Sequence, residues 1–155
     1  MGLYAWGFEV KPLIVGEAPS KNEATPRPIE GCVGKRLAAC CNMPLACFLD
    51  HFDRVNLLSV RQDTKEKGFE FDLRSAKVAA EVMKQNFKEG QVVLFLGRRV
   101  AEVFGVHNHY FALNIVGEAQ VYIIPHPSGV NRWWNEDANK DRAFVFMQTI
   151  VELTR

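Results

Sequence analysis

The sequence predicts an α/β fold, a three-layer α/β/α sandwich around a central, mostly parallel four-stranded sheet. Three observations lead there. Short apolar runs recur along the 155 residues and end at glycine or proline, and segments with helical apolar spacing lie between them. No linker, repeat or low-complexity tract divides the chain, so residues 1–155 read as one domain. Strands that alternate with helices are joined by crossovers, which makes a parallel sheet with helices on both faces.

The elements follow in order. "PLIVGE" (12–17) is a short apolar run ending in glycine, the mark of a buried strand. "VGKRLAACC" (33–41) reads as a helix and "RVNLLSV" (54–60) as the second strand. Leu73, Ala76, Ala80, Met83 and Phe87 recur at three- and four-residue steps, one stripe of a helix. "QVVLFLG" (91–97) is the third strand, and Gly97 leads into the helix "RRVAEVF". "AQVYIIP" (119–125) is the fourth, and Phe144, Met147 and Val151 mark a final helix.

With 48% hydrophobic and 24% charged residues the composition is that of a soluble globular protein. No apolar run reaches the roughly 18 residues of a membrane span, so no membrane partner is expected. "MGLYAWGFEV" lacks a basic start followed by an apolar stretch, and Trp6 stands where a myristoylation motif has Ser or Thr. A cytoplasmic monomer is the expectation. The net charge of +1 means that an anionic partner must be met by local groups such as Lys35-Arg36 or Arg98-Arg99, pairs that are also ordinary solvated surface. Cys32, Cys40, Cys41 and Cys47 show no CxxC spacing and read as buried reduced thiols, with no metal.

Open parallel sheets bind ligands beyond the carboxyl ends of their strands. That rule selects Gly16-Glu17-Ala18-Pro19, the segment around Asn56, and His126-Pro127-Ser128, which are predicted to converge. By pattern alone Glu17 is equally a solvated turn residue, Asn56 a satisfied polar group within a strand, and His126 a turn residue before proline.

In order, "VGEAPS", "RPIEGCVGKRL", "RVNLLSV", "VVLFLGRRVAEVFG" and "IIPHPSGVNR" resemble the uracil-DNA glycosylase superfamily, from residue 12 to about residue 132. Within it the chain is most similar to the family 4 type, with its GEAPG, P-F-x-G-x-x-G and H-P-S motifs. The resemblance implies an enzyme that flips a uracil or related base out of duplex or single-stranded DNA and hydrolyses its glycosidic bond. It implies Glu17 and His126 as the catalytic pair. Gly16, Ala18, Ile29 and Asn56 then bind the base, and Ser20, Ser128, Gly129, Val130, Asn131 and Arg132 contact DNA. Val130 falls where the wedge that fills the vacated stack would be. Trp133 and Trp134 either pack the start of the last helix or stack on DNA.

The departures are specific. Ile29 replaces the family's stacking phenylalanine, and Ser20 replaces the last glycine of GEAPG. The family's iron–sulfur cluster uses cysteines that begin ahead of the first strand, whereas no cysteine precedes Cys32. No cluster and no other cofactor is therefore expected. Alternatives are an inactive nucleic-acid- or partner-binding module on the same fold, an enzyme for another modified pyrimidine, and a small-molecule enzyme on a doubly wound sheet. Glu17 and His126 together favour the active glycosylase, and the absence of a GxGxxG or P-loop cradle disfavours the last.

Overall fold

The computed structural model describes residues 10–19, 28–59, 61–64 and 68–155. In chain order the first elements are β1 (Leu13–Gly16), α1 (Cys32–Cys40), α2 (Leu45–His51) and β2 (Asp53–Asn56). A small hairpin follows, β3 (Gln62–Thr64) and β4 (Gly68–Glu70), and then α3 (Leu73–Asn86). The second half holds β5 (Val92–Leu96), α4 (Arg98–Val103), β6 (Asn114–Val116), β7 (Ala119–Ile124) and α5 (Asp137–Leu153), with a 3-10 turn at Arg132–Asn135.

The main sheet runs β2-β1-β5-β7-β6. Its first four strands are parallel, as expected from the apolar runs, with Ile14 beside Leu94 and Leu94 beside Tyr122. Neighbouring residues face opposite layers. Ile14, Leu94, Leu96 and Ile124 join Leu37 of α1, Phe48 of α2, and Met147 and Ile150 of α5 in one core. Val15, Val93, Phe95, Val121 and Ile123 join Ala76 and Ala80 of α3, and Val100 and Ala101 of α4, in the other. Both faces are covered, which is why these strands read as continuous apolar runs rather than alternating ones. Phe95 stacks on Phe104 at 4.4 Å between ring centroids, an anchor for the second core.

Four expectations need correction. The sheet has a fifth strand: β6 pairs antiparallel with β7 on the edge. Three residues long, with Ile115 68% exposed, it has no apolar run to announce it. Asn114 holds its start by donating to the Ala112 carbonyl (3.0 Å) and accepting from Asn108 (3.1 Å).

The second strand ends at Asn56 rather than at residue 60. Beyond it the Leu57 and Leu58 amides still donate to the Gly16 and Glu17 carbonyls, both at 2.9 Å, as the chain leaves the sheet. Leu73 and Phe144 lie outside the buried stripes. Leu73 is the first residue of α3, whose start Asp72 caps by accepting from the Ser75 amide. The buried face of α5 is Ala143, Met147, Ile150 and Val151, one residue's rotation away from Phe144. Cys32 and Cys47 are exposed, and only Cys40 and Cys41 are buried. The helix α2 and the β3–β4 hairpin had no counterpart in the sequence reading.

Candidate active site

From β1 the chain moves to β2 on one side and later crosses to β5 on the other. Connections that diverge this way open a crevice past the strand ends. Here it is a pocket of about 500 Å³, walled by Gly16, Glu17 and Ala18 after β1, Asn56 at the end of β2, Leu96 and Arg99 around the end of β5, and His126, Ser128, Gly129 and Val130 after β7. Ile29, Cys32 and Val33 close one side and Arg61 another.

Each group is held for a local reason. A Cβ on Gly16 would lie 2.5 Å from the Asn56 Oδ1, so glycine is what lets that amide fold across the end of β1. The carbonyls of Gly16 and Glu17 are tied to Leu57 and Leu58, which orients the loop carrying Glu17. The Glu17 carboxylate is 18% exposed and pairs with Arg99, Oε2 to the guanidinium at 3.5 Å. Ile29 is buried with φ +60°, a left-handed conformation that costs a β-branched residue about 1–3 kcal/mol. It is kept there by close packing of its carbonyl on Gly34 in α1.

His126 sits against Gly97, whose φ of +92° starts α4 and whose Cβ, if it had one, would meet the His126 Cβ at 3.2 Å. Burial pulls the His126 pKa below its ordinary 6.5; the Glu17 carboxylate opposes this and the Arg99 cation adds to it. The imidazole is therefore neutral at pH 7, a hydrogen-bond donor without a charge. Its linkage to stability has a definite sign. The unfolded histidine binds a proton more readily than the folded one, so this part of the stability is complete above the unfolded value and is lost as pH falls through the lowered folded one. The melting temperature should accordingly drop more steeply between about pH 7 and about pH 5 in the wild type than in His126→Gln. Parallel slopes in differential scanning fluorimetry would refute the half-buried, neutral histidine.

The rest of "HPSGVNRWW" divides into brace and rim. The His126 carbonyl accepts from the Asn131 amide (2.9 Å) and from the Trp134 indole N–H (3.0 Å). Asn131 also accepts from the Trp133 amide (3.1 Å), so both its side-chain groups are engaged within the loop. The Ser128 carbonyl accepts from Arg36 at 3.1 Å, and that guanidinium lies 5.3 Å over Trp134. Trp134 is buried, and Trp133 packs against Tyr110 and Phe111. Both tryptophans hold the loop and the helix after it. Val130, by contrast, is 90% exposed at the pocket edge, and Gly129 beside it has open space. Arg132 is exposed and stands outside the pocket wall, and Ser20 lies outside the described residues.

The sequence did not place Arg99, Arg61, Leu96, Cys32 or Val33 in the pocket, and named Arg99 only in a charged pair. The available signal for Arg99 was its place just past a strand end. What obscured it was Arg98 beside it, which turns outward to donate to the Asn108 carbonyl (2.8 Å) and to stack on Tyr110.

Among the described residues no three His, Cys, Asp or Glu side chains converge as a metal site. Burial pushes the Cys41 thiol up to about 12, with Cys40 beside it adding to the shift, and burial raises Cys40 as well against the pull of Arg36. Thiols shifted in this direction stay protonated at neutral pH. His51 is turned to Thr154, 2.8 Å from its hydroxyl. Among the described residues no single helix is long and apolar enough to cross a membrane.

No curated protein matches the chain. The sequence profile of the Uracil DNA glycosylase superfamily, however, matches residues 7–148. That span takes in every strand of the main sheet and every described residue of the pocket wall. With its strand-end pocket and a match over nearly its whole length, this chain belongs to the uracil DNA glycosylase superfamily.

Proposed function

We propose that the protein is a monofunctional DNA glycosylase that removes uracil, or a related deaminated or modified pyrimidine, from DNA. Its motifs resemble those of the family 4 type, and the start of the cysteines at Cys32, after β1, supports a member without an iron–sulfur cluster. The observation that carries this reading is the meeting of Glu17, Asn56 and His126 in one pocket, from three segments far apart in sequence.

The chemistry follows from those groups. A flipped pyrimidine enters the pocket, where the Asn56 amide can donate to one atom of its O4/N3 edge and accept from the other. The backbone near Ala18 reads a carbonyl, and the aliphatic wall of Ile29 and Leu96 packs the ring. As the C1′–N bond breaks, its electron pair leaves with the base and the sugar becomes cationic. The neutral His126 N–H donates to the oxygen on which the negative charge develops. Glu17 stabilises the sugar cation and orients a water, whose oxygen bonds to C1′ while its proton passes to the carboxylate. The base anion then takes a proton from solvent.

The decisive experiment is excision from a panel of oligonucleotides, each with one altered base, single- and double-stranded, with alkali to break abasic sites. Cleavage at one class of altered base is expected, and none on any member of the panel would sink the proposal. The rim makes a separate prediction. Val130 is too exposed to support the fold, so Val130→Gly should leave the melting temperature unchanged. As a wedge it matters only where a stack must be opened and filled. Excision from duplex should slow by about tenfold, equivalent to about 1.4 kcal/mol, with little change on single strands. An unchanged duplex-to-single-strand ratio would remove the wedge from the mechanism.

A further inference from the structure

Arg98 and Arg99 are adjacent, yet they serve opposite sides of the first turn of α4. Arg98 is engaged with Asn108 and Tyr110 on the outside. Arg99 lines the pocket, 3.5 Å from the Glu17 carboxylate, with its guanidinium 5.4 Å over the Phe71 ring. The turn that carries it begins at Gly97, which is fixed by its amide to the Ile124 carbonyl (2.8 Å) and packed on His126. One cation therefore connects the loop after β1 to the element that backs the histidine. The closest approach of the pair is through Glu17 Oε2.

Resting on the glycosylase reading above, we propose that Arg99 is the positioning residue of this site: it holds the Glu17 carboxylate in register with His126 and the attacking water, and it is not a phosphate contact. Its side chain is 52% exposed at the pocket mouth, where a phosphate could also pass, so the experiment must separate the two roles. Held by an ion pair, Glu17 keeps one orientation through the reaction. Freed, the same side chain samples several rotamers and presents its carboxylate to the water only part of the time.

A double-mutant cycle gives the test. Single-turnover excision should fall about tenfold in Arg99→Ala and recover in part in Arg99→Lys, which keeps a cation within reach. In a Glu17→Gln background, Arg99→Ala should cost nothing further. Binding to undamaged duplex should keep its salt dependence. A phosphate contact predicts the opposite pattern: additive losses and a salt slope smaller by about one.

A second readout needs no substrate. The titratable and charged groups that line the pocket with His126 are Glu17 after β1, Arg99 of α4, Arg61, and Cys32 of α1. The Arg99 cation opposes the imidazolium and the Glu17 carboxylate that it holds supports it, so the His126 midpoint followed by NMR should move in Arg99→Ala and hold in Arg99→Lys. If the wild type excises nothing while this midpoint moves as stated, the glycosylase reading fails and the placement of Arg99 stands. A midpoint that does not move, or additive losses with a reduced salt slope, overturns the proposal.

Discussion

His126→Ala and Glu17→Gln should each slow base excision by roughly 10²-fold or more, the effect of removing one preorganised group from a developing charge. Neither should unfold the protein. The loop's hydrogen bonds from Asn131 and Trp134 run to the main-chain carbonyl of His126, which alanine retains. Glu17→Gln keeps the shape of a side chain that is 18% exposed and gives up only its charge and its pairing with Arg99. The two losses should differ in character. Without His126 the departing base has no donor for its negative charge, so substrates with poor leaving groups suffer most. Without the Glu17 carboxylate the sugar cation and the water lose their partner whatever base leaves. Single-turnover rates on several bases, beside melting curves, test this. Wild-type rates in both variants would show that the pocket does not work through these groups.

Gly34→Ala should destabilise the fold by roughly 2–3 kcal/mol, the cost of overpacking where nothing can move aside. In a solvent-exposed helix the same change is favourable by about 0.5–1 kcal/mol, because alanine is the better helix former. Here the new Cβ would collide with the Ile29 carbonyl oxygen and lie 3.1 Å from its carbon, and both are backbone atoms that no rotamer change can clear. Either α1 shifts or the turn at residues 28–31 does. That turn carries Ile29 into the pocket wall at φ +60°, so excision should fall along with stability. Urea unfolding monitored by fluorescence measures the first effect and the excision assay the second. A more stable Gly34→Ala variant would mean that α1 and the turn are not in the contact described.

The layered α/β architecture and the places where chemistry collects are legible in the order of residues along the chain. Three of the four parallel strands are legible because strands buried on both faces must be continuously apolar, and "PLIVGE", "QVVLFLG" and "AQVYIIP" satisfy that. Glu17, Asn56 and His126 were found for the same reason: a polar residue at the end of a buried parallel strand opens onto the crevice. Tertiary structure alone decided the rest. Helical period says which residues share a face, but not which part of that face the sheet covers, so Leu73 and Phe144 fell outside the core. A three-residue edge strand such as β6 is made by its partner and has no pattern of its own. The pairing of Arg99 with Glu17, the engagement of Asn131 within its loop and the neutral His126 share one cause. Each depends on distance and desolvation between segments that only folding brings together, and neither quantity is written in the order of residues along the chain.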